Sequence, residues 1–386
     1  MNHIEISDAI RYIGVDDTDI DLFESQYIVP NGVSYNSYVI LDEKIAVMDT
    51  VDARKTTEWL QNLATVLNGR TPDYLIISHL EPDHSGSILA FTKQYPDTTL
   101  VLSAKALAML PQFFALPEVS CTAVKEGDTL SLGSHTLTFV MAPMVHWPEV
   151  MVEYESSEKV LFSADGFGKF GALSHEEDWA CEARRYYFNI VGKYGAPVQT
   201  LLKKAASLDI QTICPLHGPI LTKNLAYYIG KYQTWSSYEP EDDGVLVAAA
   251  SIHGNTKDAA QKMAEILKEK GAKKVAFTDL SRDDMAEAVE DAFRYSKLVL
   301  ACATYDGGLF PPMEDFLHRL KHKAYQKRRV ALIENGSWAP LAAKCMAKEL
   351  EALKDITVCD TVVTIKSCLK EENIAQMKQA ADELLG

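Results

Sequence analysis

Two rhythms of apolar and polar positions divide this chain. In the first, short apolar runs at Val33–Leu41, Lys44–Asp49, Tyr74–Ser78, Thr99–Ser103, Thr136–Met141, Val150–Tyr154, Val160–Ser163 and Thr212–Pro215 read as strands. Longer stretches with helical spacing at Ala53–Leu67, Ala104–Phe113, Trp179–Val191 and Pro197–Leu208 read as helices. Runs of strands with helices between and after them predict two sheets with helices outside. After the polar, acidic stretch Ser236–Gly244 the rhythm becomes strict alternation. Strands at Val245–Ala250, Lys274–Thr278, Leu298–Ala303, Arg329–Glu334 and Thr361–Ile365 are each followed by a helix: Thr256–Lys270, Asp283–Phe293, Pro312–Leu320, Ala339–Leu353 and Glu372–Leu385. Five strands alternating with five helices predict an open, doubly wound parallel sheet. The boundary between the two domains falls at 243/244.

The length, 386 residues, fits two domains. No apolar run reaches membrane-span length, and the N-terminus has neither a basic start nor an apolar core, so the expectation is a cytoplasmic protein with no membrane partner. The net charge of −16 is uneven. Residues 1–243 hold 17 Lys and Arg against 33 Asp and Glu, whereas the remainder is balanced at 21 each. Such a surface repels nucleic acid. The seven cysteines form no C-x-x-C pair, which excludes zinc-ribbon, rubredoxin and thioredoxin motifs and leaves reduced, mostly buried thiols as the expectation.

The chemistry concentrates just past strands. His79-Leu-Glu81-Pro-Asp83-His84 follows Tyr74–Ser78, and four of its six side chains can bind a metal. His79, Glu81 and Asp83 are spaced by two, with His84 adjoining. One ion cannot take all four from so short a loop, but two neighbouring ions can share them. His146 follows the strand ending at Met141, Asp165 the strand ending at Ser163, and His217 the strand ending near Cys214. Seven nitrogen and oxygen donors without a thiolate suit iron, manganese or zinc. The other histidines, His3, His135, His175, His318 and His322, read as surface or helix residues.

In the second half, Ser251-Ile-His253-Gly254-Asn255-Thr256 joins a strand to a helix N-terminus, a phosphate cradle without a lysine. Thr304-Tyr305-Asp306-Gly307-Gly308 and Asn335-Gly336-Ser337-Trp338 follow the third and fourth strands. Ligands of such sheets sit at these strand ends. The paired glycines allow close backbone approach to a flat ring, and Tyr305 and Trp338 are candidates to flank it.

The H-x-E-x-D-H pattern resembles the metallo-β-lactamase superfamily, in which the first motif is usually H-x-H-x-D-H. Glu81 takes the second His position and hardens the site towards iron. With the Tyr-Asp-Gly-Gly-Leu-Phe-Pro-Pro loop and the flavodoxin-like second half, the chain resembles the flavodiiron proteins over its whole length. The resemblance implies a metallo-β-lactamase-like αββα sandwich over 1–243 and a flavodoxin-like five-stranded parallel sheet over 244–386. It also implies two iron ions and FMN. His79, Glu81 and His146 would hold one iron; Asp83, His84 and His217 would hold the other, with Asp165 bridging. The implied activity is reduction of O2 to water, with NO reduction to N2O as the alternative. The four electrons come from the iron pair and the reduced flavin. The implied partners are a rubredoxin-like or other protein donor and a second subunit, flavin facing metals in a head-to-tail homodimer, with a dimer of dimers left open. Trp147 is a candidate for that interface, Lys321–Arg329 for donor docking, and Tyr27, Phe167 and Phe170 for tuning gas preference. Competing readings are a zinc hydrolase with an attached flavodoxin and an electron-transfer module.

Overall fold

The computed structural model describes residues 6–116 and 118–386, so His3 lies outside the described residues. The chain folds into two compact units. The first comprises the chain up to Tyr186 together with Ala196–Gln233; the second comprises Tyr187–Gly195 together with Thr234–Gly386. The acidic stretch Ser236–Gly244 belongs to the second unit and is tied down there. Glu241 accepts a hydrogen bond from the Trp235 indole (2.7 Å), and Asp242 binds Lys274 (2.6 Å) and Arg294 (2.8 Å).

In the first unit, one sheet runs in the order Ile10–Tyr12, Tyr38–Ile40, Ala46–Met48, Tyr74–Ile77, Thr99–Ser103, Cys121–Val124, antiparallel at its first two pairings and parallel thereafter. The other runs Thr129–Ser131, Thr136–Met141, Met151–Glu155, Val160–Phe162, Thr212–Cys214. Alternation turns Ile40, Met48, Ile76 and Val101 of the first sheet towards Leu137, Phe139, Met151 and Phe162 of the second, and these form one buried core. Helix Thr56–Leu67 buries Trp59, Leu63 and Leu67. Two small antiparallel pairings, Val15–Asp17 with Val33–Tyr35 and, within the loop between them, the hairpin of Leu22–Phe23 with Tyr27–Ile28, complete the unit.

In the second unit five strands run parallel, in the order Val275–Asp279, Asp242–Ala250, Tyr295–Tyr305, Arg328–Asn335, Ile356–Ile365, and a two-residue strand, Gly308–Leu309, turns back antiparallel on the end of Tyr295–Tyr305. Val245–Ala250 is wholly buried because helices cover both faces of a parallel sheet. Val247, Ala249, Val299 and Ile333 meet helices Asn255–Glu269 and Glu371–Leu385 through Ala260, Met263, Met377 and Ala381. Numbered along the unit, the order is 2-1-3-4-5, so the direction of winding reverses between the first and third strands.

Three expectations are corrected. Cys121, Cys181 and Cys368 are exposed, so the thiols are less buried than composition implied, although none of the seven forms a disulfide. His135 is neither on the surface nor in a helix: it is buried in the turn before Thr136–Met141, between Asp42 (2.7 Å) and Glu158 (3.1 Å). The basic stretch Lys321–Arg329 is not a free docking patch. Arg328 is 2% exposed and donates to the carbonyls of Tyr238 and Phe293, Lys327 reaches Ser237 and Glu239, and Arg329 donates to the Glu383 carbonyl. These cations satisfy chain carbonyls in and around the second unit's sheet.

Candidate dinuclear metal centre and flavin cavity

The seven metal-ligand candidates converge, in two groups. His79, Glu81, His146 and Asp165 offer donor atoms within 4.8 Å of one another, and so do Asp83, His84 and His217. Asp165 faces both. Its Oδ2 lies 3.4 Å from His79 Nε2 and 3.3 Å from His146 Nε2, while its Oδ1 lies 3.1 Å from His84 Nε2 and 3.9 Å from His217 Nε2. Glu81 Oε2 sits 3.1 Å from His79 and 2.9 Å from His146; Asp83 Oδ2 sits 3.3 Å from His84 and 3.2 Å from His217.

The local backbone explains the division. The chain is not extended across the whole motif: Glu81 ends the extended part, and Pro82–Ser85 forms a helical turn with proline at its start. Asp83 and His84 therefore swing to the second group while His79 and Glu81 stay with the first. Asp49 fixes the strand end by accepting from the Ser78 amide (2.9 Å) and hydroxyl (2.6 Å), and Thr50 binds the His84 carbonyl through its hydroxyl (2.6 Å). The His217 loop is held by Asn36, whose amide donates to Pro215 O and Gly218 O, both at 2.8 Å. Left-handed backbone recurs beside the donors, at Met144 (φ 65°), Ala164 (φ 49°) and Gly218 (φ 77°). At Met144 and Ala164 such conformations cost energy and persist because surrounding contacts over-determine them, whereas glycine at 218 adopts its φ freely.

Each half has an imidazole oriented from behind. His79 Nδ1 lies 3.0 Å from Glu149 Oε1, and His217 Nδ1 donates to the Ser34 carbonyl at 2.8 Å, which leaves both Nε2 atoms facing the centre. Glu149 and Ser34 escaped the sequence reading; Glu149 adjoins the apolar run at Val150, the one hint available.

The donors fit a pair of cations. Asp83 Oδ1 and Oδ2, His84 Nε2, Asp165 Oδ1 and His217 Nε2 are buried yet make no hydrogen bond, although neighbours lie within about 3.4 Å. They point at common centres, not at one another. Burial alone would lower the pKa of His146, but Asp165 and Glu81 more than reverse this and hold it at about 9; His84 is likewise raised to about 9 against burial, by the charges of Asp83 and Asp165. Burial opposes charge on Glu81 too, yet His146 and His79 hold its carboxyl well below the usual range. Three carboxylates among four imidazoles suit two divalent ions with one shared ligand.

The mouth of the site is a cavity of about 340 Å³ lined by Phe23, Glu24, Tyr35, Arg54, Glu81 and Asp83, among others. Phe23, Tyr35 and Tyr186 stand 5.5, 6.0 and 5.4 Å from the His217 ring, and Arg54 donates to the Tyr35 hydroxyl at 2.9 Å. Of the residues expected to tune gas preference, Tyr27 and Phe170 pack on each other (6.0 Å), with Phe170 in turn against Phe23 and Tyr186, so they back this wall without forming it. Phe167 lies against Tyr232 (4.3 Å). Trp147 sits edge-on to His79 at 5.1 Å and His175 is exposed.

In the second unit a cavity of about 550 Å³ opens at the carboxyl ends of strands one, three, four and five. It is lined by Ser251, His253, Asn255, Thr256, Thr304, Asp306, Gly307, Asn335, Gly336, Ser337 and Trp338 of the expected set. Three expected residues do not line it. Gly254 precedes the helix at φ 97°, its amide donating to Ser251 Oγ (3.1 Å). Gly308 pairs with Tyr305 across an Asp306-Gly307 turn with φ 48° and 74°, as a tight hairpin demands. Tyr305, 43% exposed, packs edge-on to Phe310 at 5.7 Å. Ser367 was not anticipated: it ends the fifth strand's turn at φ 67°, and Asn335 is bonded to its backbone at both N–H (3.0 Å) and C=O (2.8 Å). Trp338 is 92% exposed beside the opening. Small polar side chains, a helix N-terminus and an exposed aromatic fit a flat, phosphorylated cofactor.

Comparison with known proteins agrees. Residues 33–218 match the ODP family beta lactamase description and residues 247–377 match Flavodoxin. The fold and site therefore define a metallo-β-lactamase-like domain joined to a flavodoxin-like one. An uncharacterized protein of Methanocaldococcus jannaschii is 30% identical over 382 residues, 96% of this chain and 95% of that one. The anaerobic nitric oxide reductase flavorubredoxin of Vibrio vulnificus is 27% identical over 87% of this chain and 70% of its own. The rubredoxin oxygen:oxidoreductase of Desulfovibrio gigas superposes with a TM-score of 0.93 at 26% identity, covering 100% of this chain and 98% of that one. The chain belongs to the flavodiiron proteins. Among the described residues no helix is long and apolar enough to cross a membrane.

Proposed function

We propose that this chain reduces O2 to water at a non-haem diiron centre, with electrons relayed by FMN from a small redox protein; reduction of NO to N2O at the same site is the second reading. The observation that supports it best is Asp165, buried, with one carboxylate oxygen towards each group of donors. His79, Glu81 and His146 would hold one iron and Asp83, His84 and His217 the other, with Asp165 offering one oxygen to each. When bound, the iron pair and the flavin supply four electrons between them, enough for O2 plus four protons to yield two waters. Ser251, His253, Asn255 and Thr256 would take the flavin phosphate, and Thr304, Asp306, Gly307, Asn335, Gly336 and Ser337 would surround the ring, with Trp338 at one flank; Gly254 and Gly308 shape the turns, and Tyr305 packs on Phe310 away from the cavity. Glu149 and Ser34 fix the imidazole tautomers, and the open polar mouth beside Glu81 and Asp83 admits water and protons.

The working unit is a head-to-tail homodimer in which the flavin of one subunit serves the metals of the other, and the protein works in the cytoplasm. The NO reading has its own support in the flavorubredoxin relatives. Anaerobic reduction followed by separate mixing with O2 and with NO, watching iron and flavin reoxidise, tests both. Fast reoxidation by one gas selects between them, and inertness to both at full iron and FMN overturns the proposal. Zinc without iron after iron-replete expression would point instead to a hydrolase.

A further inference from the structure

We propose that a small apolar cavity behind the Asp165 loop is a docking pocket through which the diatomic gas reaches the metal residues; this rests on the gas-reductase reading above. The cavity, about 30 Å³, lies on the outer face of the second sheet. There Val140, Val152 and Leu161 alternate with the inward-facing Phe139, Met151 and Phe162. Leu202 and its neighbours on helix Gly195–Ala205 close the far side.

Three observations indicate the occupant. First, the pocket is lined by apolar surface. Its two polar side chains are engaged: the Ser163 hydroxyl donates to Gly166 O (2.6 Å) and the Tyr232 hydroxyl accepts from Phe167 N (2.6 Å). Waters in buried cavities need two or more polar partners, whereas empty apolar cavities take up xenon and other apolar guests. O2 and NO are small, uncharged and more soluble in apolar media than in water. Second, the pocket is lined by residues that adjoin ligand candidates in the chain. Val145 adjoins His146, and Gly166 and Phe167 follow Asp165. Phe167 is held at φ 66° by the Tyr232 contact and by the Trp179 indole, which donates to its carbonyl (3.3 Å). Third, Leu201, Leu202, Ala205 and Leu208 are only half-buried, so the wall formed by the helix is where an apolar guest can enter. The mouth lined by Asp21, Glu24, Asp52 and Arg54 is charged, and no residue lines both cavities. Gas and protons thus have separate approaches.

The test is xenon with the full-length iron- and FMN-loaded protein. Crystals under xenon pressure should show one atom in this cavity, absent in Ala205→Phe and Leu202→Trp. Both variants should raise KM for the gas several-fold while leaving kcat, iron content and flavin reduction by the donor unchanged. Dissolved xenon should raise the apparent KM of the unaltered protein, a readout that survives if a filled variant fails to fold. An active protein with no xenon in the cavity, or with xenon bound but KM unmoved, overturns this inference alone. Inertness to both gases at full cofactor loading overturns the gas-reductase reading and this inference with it.

Discussion

The two units solve the problem of holding a group in opposite ways. The metal candidates are the ends of seven side chains, six buried and Glu81 half-buried, with the oxygens of Asp165 turned to both groups. The flavin cavity is a set of turns in which backbone and short polar side chains line an open hollow. A side-chain site concentrates charge in low dielectric, where unpaired donors are costly. A backbone cradle leaves its polar groups in reach of water. Occupancy should therefore matter far more to the stability of the first unit than to the second.

The strongest way to break this contrast is to strip the metals. Chelation should lower the melting temperature of the first unit by about 10 °C, the consequence of losing roughly 4 kcal/mol of linkage at metal concentrations ~1,000-fold above the dissociation constant. FMN removal should leave the second unit's melting nearly unchanged. Calorimetry of singly depleted samples checks both, and equal shifts would end the comparison. Asp165→Ala should cut iron content at both positions and turnover by more than about 100-fold while FMN stoichiometry holds. Loss of a single iron would show that Asp165 does not bridge.

Two smaller changes sharpen the contrast from either side. Glu149→Gln keeps the shape but weakens the acceptor behind His79, and should cost about 10–100-fold in iron affinity at that position, read by metal titration. In the cradle, Thr304 Oγ1 accepts from the amides of Leu341 (3.0 Å) and Ala342 (3.2 Å) and so joins the third-strand loop to the start of helix Ala342–Leu350, which follows the fourth strand. Thr304→Val leaves both amides unpaired. At about 1–1.5 kcal/mol the FMN dissociation constant should rise roughly tenfold, with iron unaffected.

The same contrast decides what was legible in the sequence. The second unit was readable because its central strands are continuous buried apolar runs and its helices amphipathic, so periodicity sets the alternation and the edge elements follow from it: Val275–Asp279 and Glu371–Leu385 fall within a residue of expectation. The first unit hid Ile10–Tyr12, Val15–Asp17, Leu22–Phe23 and Tyr27–Ile28, since strands of two or three residues are too short to show alternation. Metal-ligand candidates stood out because His and Asp just past strands are chemically conspicuous. Their supports did not: Ser34, Asn36 and Asp49 act through spatial neighbours more than 25 residues away. The cradle's Ser367 was missed for a related reason, as a turn serine reveals its role only when Asn335 is brought alongside.

His135 gives the smallest and most discriminating test, because it carries the chemistry of the metal centre without its geometry. Two carboxylates flank it at 2.7 and 3.1 Å, but both ring nitrogens are engaged by them, whereas Nε2 of His84 and of His217 has no hydrogen bond. Burial alone would lower the pKa of His135; its bonds to Asp42 and Glu158 reverse that and raise it. Burial would raise that of Asp42, and His135 lowers it. A histidine raised in the folded state stabilises fully below its unfolded value of about 6.5 and loses that contribution as pH climbs through the folded value; a lowered aspartate stabilises above about 3.9 and loses it as pH falls. The pair should therefore contribute most between about pH 4 and 6.5. His135→Gln should destabilise the first unit by up to about 1 kcal/mol near pH 5.5, with the deficit shrinking above pH 8 to that of hydrogen bonds alone. Denaturant unfolding across pH measures it. The deficit should be the same in metal-loaded and metal-stripped protein. If stripping abolished it, this cluster would be coupled to the centre, and the line between a charge cluster that needs metal and one that does not would fall elsewhere.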